Sequence, residues 1–283
     1  MSKNSINIVI PMAGMGQSFL RAGYTLPKPL VDVNGKPMIE RVIENLTPKH
    51  PHTFYFVMKQ EQYEKYPFVE IFQKTTSGNF EVILVPNVPQ GALCTVLTAI
   101  DFINNKNELL VANADQIIDV SINDFIDFAQ NSNAQAAIMT FEASHPKWSF
   151  LRLNNHNEVI ETAEKQMISS HATSGIYYYK HGSLFVDAGL SMIEKDIRFN
   201  NEFYVCPSFN ELILKNNKVI AWEMRRDAMH SLGTAVDLAM YLHLTDKRYN
   251  SSCEDNRPNG RSRVTLSKSQ RSKPRIPKTQ ATH

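Results

Sequence analysis

The stretch from Ile6 to Leu30 constrains this chain more than any other. Ile6-Asn7-Ile8-Val9-Ile10-Pro11 is an apolar, β-branched run of the kind that forms a strand buried on both faces. It leads directly into Met12-Ala13-Gly14-Met15-Gly16-Gln17, a small-residue loop with two glycines. A strand ending in such a loop lets backbone N–H groups approach an anion, because glycine has no Cβ to hold it off. Leu26-Pro27-Lys28-Pro29-Leu30 then sets one lysine between two prolines, which restrict the backbone on both sides and aim the ammonium. Together the pieces read as a triphosphate-gripping loop with its own cation. A plain tight turn would also use two glycines, and two common phosphate-loop patterns are absent. G-x-x-x-x-G-K-[ST] does not occur, and Phe19 stands where G-x-G-x-x-G needs its third glycine.

The rest of the first half alternates strand and helix. Strands are expected at Thr53–Val57, Phe80–Val85, Leu109–Ala112 and Ala136–Phe141. Helical spacing marks Met38–Leu46, Gln60–Lys74, Gly91–Ile103 and the stretch from Ser121 to Ala129. Such alternation predicts an α/β fold, a parallel sheet with helices on both faces. From Trp148 the rhythm changes. Ser149–Leu153, Val159–Ala163 and Gly175–Tyr179 read as strands without full helices between them, followed by helices at Ser183–Ile193 and Tyr204–Leu214, a strand at Val219–Met224 and a last helix over about Ala235–Thr245. The predicted organisation is one domain over 1–249, with halves at about 1–145 and 146–249, and a disordered basic tail over 250–283. Asp246 to His283 carries ten Lys/Arg against three Asp/Glu, so the net +2 of the whole chain hides a mildly acidic body. The tail lacks interleaved aromatics, and no nucleic-acid partner is expected of it.

Cysteine usage bears on compartment. Cys94, Cys206 and Cys253 are scattered and form neither a disulfide framework nor a C-x-x-C metal site, which fits a reducing cytoplasm. No apolar run approaches the ~18 residues of a membrane span, and no signal peptide is visible. No G-x-S-x-G or Cys/His dyad is present. His50 and His52 flank Pro51 without a third ligand nearby. Asp115 is the best metal candidate. It ends the apolar run Leu109-Leu110-Val111-Ala112-Asn113-Ala114, where ligands of open α/β sheets bind. Mg²⁺ prefers one or two carboxylates and fills its shell with water and phosphate. An aspartate that merely caps a loop is the competing description.

The G-x-G with P-K-P-L eleven residues after its second glycine resembles the nucleotidyltransferase superfamily that includes sugar-1-phosphate nucleotidylyltransferases. Ala22-Gly23-Tyr24 and Lys36-Pro37-Met38-Ile39-Glu40-Arg41 extend the resemblance towards a branch associated with bacterial capsule and surface-polysaccharide pathways. It covers roughly residues 6–245. It implies a Rossmann-like, mostly parallel mixed sheet flanked by helices, similar to the GT-A arrangement. The activity it implies is Mg²⁺-dependent transfer of a nucleotidyl group from a nucleoside triphosphate to a phosphorylated small acceptor, with pyrophosphate leaving.

Roles follow residue by residue. The resemblance assigns the nucleotide to Ala13, Gly14, Met15 and Gly16, with Gln90 and Gly91 as the base-recognition turn. Lys28 is implied as the lysine on the triphosphate, and Asp115 as the metal ligand. Ala163-Glu164-Lys165 resembles the family's E-K motif. Glu164 would bind acceptor hydroxyls or an amine, and Lys165 would bridge the acceptor phosphate and the α-phosphate. Gly175 and Tyr177 follow as acceptor wall. Two departures stand out. Ser18 replaces the arginine usual two residues after the second glycine, with Arg21 a turn later, and Ser231 replaces a second metal aspartate ahead of Gly233-Thr234. Asp227 is nearby but offset. The readings left open are a cytidylyltransferase for a non-sugar phosphomonoester, a GT-A-type glycosyltransferase, although Asp115-Gln116-Ile117 lacks a D-x-D, and a catalytically weak nucleotide-binding regulator.

Overall fold

The computed structural model describes the backbone of residues 5–255 and the side chains of 5–246. A nine-stranded sheet forms the centre. Its strands are β1 (Ile6–Pro11), β2 (His52–Lys59), β3 (Phe80–Val85), β4 (Glu108–Ala112), β5 (Ala136–Glu142), β6 (Phe150–Leu153), β7 (Val159–Ala163), β8 (His171–Tyr179) and β9 (Val219–Met224). Along the main path the order is β7-β6-β8-β4-β1-β2-β3; β5 also pairs β8, and β9 pairs β5. β1 pairs in parallel with both β2 and β4, and β2 with β3. β8 runs antiparallel to β4, β5 and β6, so the sheet is mixed. The α/β class is the one the strand–helix alternation predicts, and the mixed sheet is the one the resemblance implies.

β1 shows why the sheet is covered on both sides. Successive side chains of a strand point to opposite faces. Ile6, Ile8 and Ile10 enter one core, with Ile39, Val42 and Ile43 of the Met38–Leu46 helix and Phe68 and Phe72 of the Phe68–Thr76 helix. Val9 enters the other, with Leu93 and Val96 of the Ala92–Leu97 helix and Phe185 and Met192 of the Gly182–Glu194 helix. A third, smaller cluster joins Phe19, Val31, Val33, Ile117, Leu232 and Leu238. That cluster draws three distant segments together beside the end of β4, and the site depends on it.

Several expected boundaries differ. The helix expected from Gln60 to Lys74 is two, Gln60–Lys65 and Phe68–Thr76. Pro67 parts them, and Tyr66 before it is extended, as a residue preceding proline prefers. The stretch 91–103 is likewise two helices, Ala92–Leu97 and Ile100–Ile103. The helix expected from Tyr204 begins at Phe209, after a tight 3-10 turn through Pro207. β8 begins at His171 rather than Gly175, since its first half buries Thr173 and Ser174 and lacks an apolar signature. Gln116–Ile118 and Met229–Ser231 pair as a short two-stranded sheet too brief for a sequence pattern to mark.

Residues 5–243 form one compact unit. The last helix runs Ala235–Asp255, so it passes the expected end at Thr245 and takes in 250–255, the start of the expected disordered tail. No proline interrupts the chain there until Pro258. The remainder of that tail, 256–283, lies outside the described residues. Among the described residues, no helix is long and apolar enough to cross a membrane.

Candidate active site

A cleft of about 550 Å³ opens at the carboxyl ends of β1 and β4, where open α/β sheets take ligands. Its floor comes from Pro11 and Met12 at the end of β1 and Asn113–Gln116 after β4, and its wall from the middle of β8.

Lys28 reaches this cleft because its backbone is pinned. Pro27 is extended, Leu30 N donates to Pro27 O at 2.8 Å, and Pro29 is buried. Gly16 has φ +61°, and a Cβ there would come within 3.2 Å of Lys28 Cβ, so the glycine loop lies directly on the lysine stem. The ammonium sits 5.5 Å from the Phe19 ring centroid, forms an ion pair with Asp115 Oδ2, and donates to Gly233 O at 3.0 Å. Asp115 is held from behind, its backbone oxygen accepting from Leu232 N at 2.7 Å. Ile117 and Leu232, packed with Phe19 and Val31, thus bring Lys28, Asp115 and Gly233 to one point.

The glycine loop presents an open face. Gly14 lines the cleft, and a Cβ there would meet no protein atom within 4 Å. Ala13 is buried in the core behind. Met15 is exposed, with Lys59 Nζ 3.9 Å from its sulfur. Gln90 and Gly91 do not line the cleft. Gln90 Oε1 accepts from Arg198 at 2.7 Å, and Gly91, at φ +102°, packs against the Phe203 backbone so closely that a Cβ would overlap it.

The opposite wall carries Glu164 and Lys165, at the end of β7. Glu164 is 8% exposed and accepts from Ser149 Oγ, while Lys165 Nζ lies 4.0 Å from its Oε1. Lys165 adopts a left-handed φ of +50° and donates to Tyr204 OH at 3.0 Å, its ammonium 4.6 Å from that ring's centroid. Tyr177 is buried and lines the cleft. Gly175, at φ +82°, leaves the space that Asn113 and Gln116 fill.

Burial pushes the Glu164 carboxyl above its ordinary range, against the opposing effects of Ser149 and Lys165. A carboxyl whose folded pKa exceeds its unfolded one binds more protons when folded, so its contribution to stability falls as pH rises above the ordinary value of 4.5. Glu164→Gln is expected to flatten that part of the decline, read as melting temperature against pH from 4.5 upward. A slope identical to that of the wild type would contradict the assignment.

Two residues do something the sequence did not reveal. Ser18 Oγ accepts from Ala235 N at 3.3 Å, so it caps the last helix, while Arg21 is exposed and does not line the cleft. Asp237, in the first turn of that helix, does line it. Its Oδ2 accepts from Thr234 Oγ1 at 2.8 Å, Thr234 N at 3.2 Å and Ser231 Oγ at 3.3 Å, and Asp237 N donates to Thr234 Oγ1 at 3.1 Å. This is a reciprocal capping box, and the Thr234-x-x-Asp237 spacing was its available signal. A Cβ on Gly233 would lie 3.6 Å from Asp115 Oδ2 and 3.8 Å from Asp237 Oδ2, so both carboxylates border the same space. Burial opposes ionisation of Asp237, but Lys147 and Thr234 hold its pKa below the usual range. Asp227 lies in an exposed turn, 3.3 Å from Arg225.

The profile of the Nucleotidyl transferase family matches residues 9–215. The chain belongs to that family. Among curated proteins, this nucleotidyl transferase is 27% identical over 177 residues to the bifunctional protein GlmU of Methanococcus maripaludis strain C5, covering 61% of this chain and 39% of that protein. The GlmU of Methanococcus aeolicus is 26% identical over 215 residues, or 75% of this chain and 48% of the relative. The match thus spans less than half the length of either relative. Among solved structures, a nucleoside-diphosphate-sugar pyrophosphorylase from Vibrio cholerae RC9 superposes with a TM-score of 0.72 at 24% identity, covering 83% of this chain and 99% of that one. A UDP-glucose pyrophosphorylase complexed with UDP-glucose gives 0.71 at 18%, covering 86% and 99%. Both show the shared fold. The superfamily expected from the G-x-G and P-K-P-L strings is the one found.

Proposed function

We propose that this nucleotidyl transferase joins a nucleoside triphosphate to a phosphorylated small acceptor and releases pyrophosphate, with Mg²⁺ as its metal. The observation that carries the reading is one cleft in which the Lys28 ammonium meets the Asp115 carboxylate beside an open glycine face, with Glu164 and Lys165 opposite. The donor set suits Mg²⁺: Asp115 is partly exposed at a strand end, and Asp237 borders the same space. Asp115 would hold the ion, which when bound neutralises phosphate oxygens of the nucleotide.

The chain's own groups supply the rest. Gly14 and Gly16 let the triphosphate lie against the loop backbone. Lys28, pre-aimed by its prolines, neutralises charge that grows on the departing pyrophosphate. Lys165 holds the acceptor phosphate for in-line attack on the α-phosphorus, and Glu164 takes a hydroxyl or amine of the acceptor. Transfer of this kind needs alignment and charge neutralisation more than covalent chemistry. The acceptor in this reading is a sugar 1-phosphate and the product a surface-polysaccharide precursor made in the cytosol. The half at about 1–145 takes the nucleotide and the half at about 146–249 the acceptor.

The test is pyrophosphate release with each nucleoside triphosphate, Mg²⁺ and a panel of hexose 1-phosphates and phosphorylated amines. No acceptor-dependent release from any combination would sink the reading, and nucleoside diphosphate release from a sugar nucleotide would replace it with glycosyl transfer. Gly14→Ala is a sharper check. The open space around Gly14 and its ordinary φ predict an unchanged melting temperature. A methyl group in the path of the triphosphate should cost roughly 1–3 kcal/mol of binding, raising KM for the nucleotide about fivefold or more.

A further inference from the structure

Among the described residues, the cleft contains one ammonium that the proposed reaction leaves unused. Lys147 lies in the loop leading into β6, with its side chain 40% exposed and lining the cleft. Its Nζ is 2.8 Å from Asp237 Oδ1 and 4.6 Å from the centroid of the Trp148 ring. We propose that Lys147 is a second phosphate-binding residue of the acceptor site, whose ammonium exchanges Asp237 for the acceptor's phosphate and shares it with Lys165. This inference rests on the reading of the acceptor as a phosphomonoester.

Strand pairing brings the two lysines to the same place. Phe150 of β6 pairs with Ala163 of β7, and the hydrogen bond from Ser149 to Glu164 continues that pairing by one step. The loop carrying Lys147 and the segment carrying Lys165 therefore leave the same end of one strand pair, and both line the cleft. A phosphomonoester dianion held there by Lys165 alone would keep an unbalanced charge, and the proposed reaction assigns Lys28 to the triphosphate.

The Asp237 partnership can be given up cheaply. Three hydrogen bonds from Thr234 and Ser231 satisfy Oδ2 without Lys147, so the helix cap survives its departure. A partly exposed lysine–carboxylate pair is weak in water, whereas a phosphate dianion offers more charge and more acceptor oxygens. The Trp148 face confines the ammonium near the cleft, which limits the entropy lost on capture.

The competing account is a latch, in which the Lys147–Asp237 pair only pins the loop to the last helix. The two accounts part on Asp237→Asn, which breaks the ion pair but frees the ammonium. Calorimetry on the full chain would use α-D-glucose 1-phosphate, α-D-glucosamine 1-phosphate and phosphoethanolamine as probes, without metal. The proposal expects the wild type to bind at least one ester and Lys147→Met to weaken it about tenfold or more. Lys147→Arg should weaken it less, and Asp237→Asn should bind as tightly as the wild type or tighter. In turnover, Lys147→Met should raise KM for the acceptor and leave KM for the nucleotide unchanged. Equal weakening by Lys147→Met and Asp237→Asn, no weakening by Lys147→Met, or a wild type that binds none of the esters overturns it. Wild-type pyrophosphate release is measured separately, so the reaction can stand while the Lys147 role falls. Lys147→Gln is the second variant should the methionine variant fail to fold.

Discussion

Replacing Asp115 with asparagine is expected to lower acceptor-dependent pyrophosphate release by about 10²–10³-fold, the loss typical when one preorganised electrostatic group is removed from a transition state. The shape is kept and only the charge is lost, so the effect should fall on kcat and on the Mg²⁺ concentration needed for half-maximal rate. Stability should change little. The Asp115 backbone stays anchored to Leu232, and Lys28 keeps Gly233 O as an acceptor. A melting temperature within a few degrees of the wild type, together with weaker Mn²⁺ binding followed by paramagnetic resonance, separates loss of a metal ligand from loss of fold. Normal turnover at unchanged Mg²⁺ demand would remove Asp115 from the reaction.

Lys28→Met should cost a similar factor of about 10²–10³ in kcat. Methionine retains an unbranched apolar stem against Phe19 and Gly16 while deleting the ammonium. Lys28→Arg should rescue poorly, because a planar fork does not reproduce a compact point charge in a slot shaped by Gly16. The ion pair with Asp115 also implies an exchange. The ammonium and the carboxylate neutralise each other. Triphosphate oxygens give the lysine a second counter-charge, and the carboxylate is then free to take a cation. Lys28→Met should therefore raise the affinity of the nucleotide-free protein for Mn²⁺ even as it lowers turnover. Lower Mn²⁺ affinity in that variant would contradict the exchange.

Much of this was legible in the residues because the signals are local. A β-branched run reads as a buried strand wherever it lies, and a proline-flanked lysine is constrained by its own neighbours. The misreadings share a cause as well. Periodicity ran through Pro67 and past Leu97, where backbone geometry breaks the helices, and it fell silent over Thr173 and Ser174, which are buried yet polar. Ser18 stands where the resemblance expects an arginine, and it caps a helix that begins 217 residues later.

The amino-acid sequence by itself determined the alternating α/β order, the glycine face at Gly14 and Gly16, and the mounting of Lys28, since each depends on neighbours along the chain. Only the tertiary structure decided that Lys28, Asp115 and Gly233 converge and that Asp237 and Lys147 border the same cleft. The reason is that a small apolar cluster, drawn from Phe19, Val31, Ile117, Leu232 and Leu238, closes loops between segments far apart in sequence. No local pattern encodes such a closure.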